Sequence, residues 1–292
     1  MTTLAQRIAR WPKAELHLHL EGSIRPATLC ELAARHRQPM DAETVAALYR
    51  YHSFRGFLNA FKRVTALLRT PDDYALITQR LTEELLAQNV IYAEVIVSAG
   101  VMLRRQQDVE ANFAAICEAA RPAERRGLRL AWSFDAVRQF GLAHIWRVAR
   151  LAVQLGSQGV VAFGVGGDET ALPTRSLQPV YEFVAAHGLH RLIHAGEIGP
   201  PSAVREAVEV LGCERIGHGI AALRHKQPRR FRPAGFGPAG EVGGFVVSTC
   251  EPHMARHRRW TFRRRTGMAL SRRGLSPRPR GHRCADRGIS RS

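Results

Sequence analysis

Ala14-Glu15-Leu16-His17-Leu18-His19-Leu20-Glu21-Gly22-Ser23 alternates apolar and polar side chains. Leu16, Leu18 and Leu20 fall on one face and His17 and His19 on the other, which is the period of a β-strand. Two imidazoles two residues apart on a strand face can reach one metal ion; the same spacing on a helix would splay the rings. Glu21-Gly22 then ends the strand in a turn, where strand tips meet ligands. Taken alone, the pair also fits a half-exposed strand with no ligand.

Two later segments extend the pattern. In Leu189-His190-Arg191-Leu192-Ile193-His194-Ala195-Gly196-Glu197 a short apolar run delivers a histidine and, three residues on, a carboxylate. In Arg215-Ile216-Gly217-His218-Gly219-Ile220 a histidine stands between glycines that let a ligand approach the backbone closely. Three strand-end histidine sites plus a carboxylate are the parts of a mononuclear zinc hydrolase. Zinc takes neutral imidazoles or carboxylates around an open position. The water needs a base, and the leaving or accepting nitrogen an acid.

Between these segments strands and helices alternate. Strands are expected at 90–97, 128–137, 159–165, 189–194 and 215–218. Helices are expected at 26–36, 53–68, 71–88, 108–126, 141–156, 176–187 and 201–211. Phe54, Phe57 and Phe61 read as a core-facing stripe of the second helix, with a lid as the lesser reading. Such alternation predicts a parallel sheet with crossover helices, and chemistry at the strand ends fits a TIM-type (β/α) barrel. Six strands of an expected eight are recognisable, so the α/β barrel reads as incomplete.

The stretch Pro12–Ser23, then Gly166-Gly167-Asp168-Glu169, His194-Ala195-Gly196-Glu197 and Arg215-Ile216-Gly217-His218-Gly219 resemble, in order and spacing, the adenosine deaminase family of metal-dependent amidohydrolases. The resemblance implies an enzyme of purine nucleoside metabolism that releases ammonia from an adenine nucleoside. It implies His17, His19 and His194 as ligands of Zn2+, Glu197 as the acid that protonates the purine ring, and His218 as the group that orients and deprotonates the water. Gly167 would meet the base through its backbone, and Glu21 and His19 would reach toward the substrate. Asp168-Glu169 reads chiefly as shaping the strand-4 loop, with Glu169 able to assist orientation.

Gly164 stands where many adenosine-specific members carry an aspartate, and Arg138 after strand 3 could pair with a substrate carboxylate or simply lie on the surface. Members that deaminate 6-aminodeoxyfutalosine, an adenine nucleoside bearing a benzoate, have this kind of sequence. Adenosine and aminodeoxyfutalosine are therefore both candidates.

The resemblance stops at Leu223. Residues 224–292 hold 17 Arg and 1 Lys against Glu241, Glu251 and Asp286, a net charge of +15. The whole chain carries +18, so residues 1–223 hold only +3. Two units follow: a barrel portion, 1–223, and an Arg/Pro/Gly-rich tail, 224–292. The tail reads as out-of-frame translation of a GC-rich gene, or as disordered, in preference to a basic arm for nucleic acid or acidic membrane, because no recognition motif or interleaved aromatics accompany the charge. Only 245–249 looks strand-like, and no seventh strand or strand-8 Asp-Asp pair is recognisable. The alternative to a deaminase is thus a catalytically dead, truncated homologue or a nucleic-acid-binding protein. The chain as written is expected to be poorly soluble and inactive, and a frame-restored one active.

No apolar leader and no run of about 18 apolar residues is present, and the five scattered cysteines lack C-x-x-C spacing. These features predict a cytoplasmic protein with a small-molecule partner and no membrane partner.

Overall fold

The computed structural model describes residues 2–224 and 246–248. In chain order the elements are α1 (Leu4–Arg10), β1 (Lys13–His19), α2 (Pro26–Arg35), α3 (Ala42–Leu48), α4 (Phe54–Thr65), α5 (Pro71–Ala87), β2 (Val90–Val97), α6 (Ala99–Arg104), α7 (Val109–Arg125), β3 (Arg129–Val137), α8 (Leu142–Gln154), β4 (Val160–Gly166), α9 (Gln178–Ala186), β5 (His190–Ala195), α10 (Pro201–Glu209), β6 (Arg215–His218) and β7 (Val246–Ser248).

The strands pair in sequence order, every neighbour parallel. This is the winding of a TIM-like α/β barrel, with helices returning the chain to the same end each time. Burial on both faces explains why β3 and β4 lack clean alternation: Trp132–Val137 and Ala162–Gly166 are buried without a break. Leu18, Val95, Phe134, Phe163, Ile193 and Ile216 belong to one continuous apolar core.

Local chemistry sets the helix starts. Asp41, Ser53 and Asp108 accept hydrogen bonds from the amides of Thr44, Gly56 and Ala111. At α5, Asp73 reaches back to the amides of Arg69 and Thr70, both at 3.0 Å, with Pro71 in the first turn. Across the barrel, Arg215 of β6 grips Glu94 of β2 with two parallel hydrogen bonds of 3.0 Å, joining strands that are not neighbours.

The structure corrects the sequence reading in one strand. Val246–Ser248 forms a seventh, parallel to β6 and in register with Arg215–Gly217. Val246 and Val247 favour an extended backbone, but three residues are too few to display a period. The remaining tail readings, and Asp286, lie outside the described residues. Among the described residues, no helix is long and apolar enough to cross a membrane.

Candidate active site

Parallel winding brings the C-terminal ends of β1, β5 and β6 to one end of the barrel. His17 and His19 end β1, His194 lies in β5 and His218 ends β6, with Ala195 paired to His218 and His194 to Gly217. Their rings converge. The His17 centroid lies 5.3 Å from that of His19, 4.8 Å from His194 and 5.1 Å from His218. His17 and His194 point Nε2 at each other across 3.2 Å. One ring nitrogen from each of His17, His194 and His218 falls within 4.8 Å of the others. His19 stands beside them, 5.1 Å centroid to centroid from His194, but outside that tightest trio.

Backbone chemistry makes room for the cluster. A Cβ on Gly217 would stand 2.7 Å from His17 Cε1 and 3.1 Å from His194 Cδ2, so only glycine lets both rings lie over β6. His218 holds a φ of +70°, a left-handed conformation that a residue with a Cβ adopts at a cost and that is commonly maintained at functional sites. Burial, then the neighbouring imidazoles, holds the proton affinities of His19 and His194 well below the ordinary histidine value. His218 is pushed down to about 4 by burial and then by His17. Four imidazoles packed this closely form a donor set that fits a divalent cation such as Zn2+.

Glu197 lies in the turn after β5, with Oε2 at 3.4 Å from His218 Nε2. Burial, followed by the charge of Glu169, pushes it up to about 7, so it can carry a proton near neutrality. Glu169 is buried, and its carboxylate accepts the amides of Gly196 at 2.7 Å, Glu197 at 2.8 Å and Ile198 at 3.1 Å. Gly167, just after β4, has a φ of +88° and is half-buried, with the Gln139 and Val137 side chains against the side a Cβ would occupy.

Two expected substrate contacts are placed differently. Arg138 is 0% exposed and so does not lie on the surface. Its guanidinium donates to the carbonyls of Leu172 and His194, each at 2.9 Å, and to Thr174 Oγ1 at 3.3 Å. It braces the backbone of His194 and of Leu172. Glu21 is likewise buried, with one oxygen on the Ser98 amide at 2.9 Å and the other on Ser98 Oγ at 3.0 Å. It ties the end of β1 to the end of β2.

Asp135 went unnoticed in the sequence as a site-facing group. It pairs in register with Gly164, and a Cβ on Gly166 would meet both its Oδ2 at 3.1 Å and His194 Nδ1 at 3.5 Å. The glycines of β4 supply the missing signal: they leave space for a carboxylate on the adjoining strand. Asp135 is pushed up to about 8 by burial and then by the charge of Glu21.

The family model for adenosine deaminase matches residues 12–229. A protein of Streptomyces coelicolor named aminodeoxyfutalosine deaminase is 36% identical over 258 residues, which cover 84% of this chain and 66% of that protein. The crystal structure of adenine deaminase from Arthrobacter aurescens matches with a TM-score of 0.69 at 28% identity, covering 74% of this chain and 67% of the other. An amidohydrolase from Burkholderia ambifaria with bound Zn matches at 0.69 and 26% identity, covering 77% and 64%. The chain thus spans about two thirds of the length of these relatives.

Proposed function

The chain belongs to the adenosine deaminase family, and from that premise we propose that it hydrolytically removes the exocyclic amino group of an adenine-type substrate. The observation that carries this reading is the four-histidine cluster with Glu197 standing 3.4 Å from His218. His17 and His194 would hold a zinc ion, with His19 completing the set as the family resemblance implies. When bound, such an ion lowers the pKa of water toward neutrality.

The other groups move protons. Glu197, protonated near neutral pH, donates to a ring nitrogen of the adenine and makes the amino-bearing carbon electrophilic. His218, neutral and facing the same space, accepts a proton from the attacking water. Water adds to that carbon, the proton taken by His218 passes to the amino group, the carbon–nitrogen bond breaks and ammonia leaves, and the added hydroxyl returns a proton to Glu197 as it becomes the carbonyl. The backbone of Gly167 meets the edge of the base. The relatives named for adenine and for aminodeoxyfutalosine make those compounds and adenosine the substrates to test.

The test is ammonia release from each of the three, by the wild-type protein and Glu197→Ala. Release that disappears in Glu197→Ala supports the reading. Turnover confined to cytosine or guanine compounds refutes it.

A further inference from the structure

We infer that Glu169 is a positioning residue for the acid Glu197, acting through the backbone of the turn that carries it. The inference rests on the deaminase reading above. Three consecutive amides, those of Gly196, Glu197 and Ile198, converge on one carboxylate that arrives from the loop after β4. Successive N–H groups folded round an anion form a nest, whose shape depends on the anion at its centre.

The turn is moulded to this side chain. Gly196 holds a φ of +73°, and an added Cβ there would stand 2.5 Å from Val204 Cγ2. A Cβ on Gly199 would stand 2.4 Å from Glu169 Oε2. The turn therefore passes too close to the carboxylate to carry a side chain at Gly199, and too close to Val204 to carry one at Gly196. Its hydrogen bonds are made with the backbone of residues 196–198, so they set where the Glu197 side chain begins. Among the described residues, the ion-pair partner of that side chain is His218, at 3.4 Å. Glu169 itself makes no hydrogen bond to any of the four histidines among the described residues; its grip is confined to the turn.

Glu169→Gln tests this. The amide keeps one acceptor oxygen but turns an NH2 group toward at least one turn amide, setting donor against donor. The turn opens, and Glu197 is displaced while the histidine cluster stays in place. Because a misplacement of about 1 Å can cost about 10²-fold in rate, kcat should fall by about that factor, with KM and bound zinc within about twofold of wild type. In a Glu197→Gln background the same change should cost nothing more, since its target is already gone. Gly199→Ala, which pushes directly on the Glu169 carboxylate, should reproduce the kcat loss and serves if Glu169→Gln does not fold.

Wild-type kcat in Glu169→Gln or Gly199→Ala overturns the inference. So does a loss of zinc in parallel with kcat, or an equal further loss in the Glu197→Gln background. The assay uses whichever adenine-type substrate the wild-type protein turns over. No turnover by wild type on any of them overturns the deaminase reading and this inference with it. Turnover by wild type with an unimpaired Glu169→Gln overturns this inference alone.

Discussion

Gly217→Ala is the sharpest perturbation of the histidine cluster, since it replaces no ligand and adds one methyl. The new Cβ would stand 2.7 Å from His17 Cε1 and 3.1 Å from His194 Cδ2. Ordinary van der Waals contact begins near 3.4 Å, so the His17 ring must retreat by about 0.7 Å. Overpacking of this kind costs about 1–3 kcal/mol. The retreat also pulls apart two Nε2 atoms that now stand 3.2 Å from each other. Disturbing the support of metal-ligating histidines costs about 10- to 100-fold in metal affinity, and that is the loss expected here. Zinc affinity is read by competition with a chromophoric chelator, and stability by urea unfolding. Gly156→Ala, where nothing lies within 4 Å of the new Cβ, is the control and should match wild type in both. Wild-type zinc affinity in Gly217→Ala would refute the placement of His17 and His194 over β6.

Arg138→Ala should destabilise the fold by about 1–3 kcal/mol in urea unfolding, because it removes the donor to the part-buried carbonyls of Leu172 and His194. An unchanged midpoint with selective loss of a carboxylated substrate would return Arg138 to substrate recognition. Asp135 should make stability fall as pH rises from about 4 to about 8. Its folded-state pKa, about 8, lies above the unfolded value, so the native state binds the extra proton throughout that window. Asp135→Asn should remove this slope, and an identical slope in the variant would show that other groups cause it. Arg215→Ala should cost about 1.5–3 kcal/mol in the same assay by leaving Glu94 without its paired donors; a change below 0.5 kcal/mol, on the order of an ordinary surface substitution, would count against the brace across the barrel.

Much of the barrel was legible because β1 and the amphipathic helices carry their period openly. The β2 and β6 limits expected from sequence, 90–97 and 215–218, coincide with the structure. Three helices, α1, α3 and α6, were not expected: each has six or seven residues, less than two turns, so a 3.6-residue period has little room to show. The start of α1 did carry a signal in Thr3 and Gln6, which bond reciprocally as a capping box.

That the histidines and Glu197 would meet was legible, since they stand at strand ends that parallel winding gathers at one end of the barrel. The directions of Arg138 and Glu21 were not. A charged side chain beside a strand end can face solvent or turn beneath the site, and only the partners decide. Arg138 found carbonyls at residues 172 and 194, and Glu21 found Ser98, at separations no local pattern encodes. Asp135 was hidden for a related reason: its environment is made by glycines on another strand.

The meeting of His17 with His194 also bears on how the protein persists. These residues lie 177 positions apart, on β1 and β5, which the sheet order separates by three strands. An ion held between them would act as a clasp across the barrel mouth, joining walls that share no backbone hydrogen bonds. Binding confined to the folded chain adds about 2.7 kcal/mol at a free ion level one hundredfold above Kd. The folded population, and with it resistance to proteolysis, would therefore follow the available ion concentration. Scarcity of the ion would then shorten the lifetime of the protein as well as slow its chemistry.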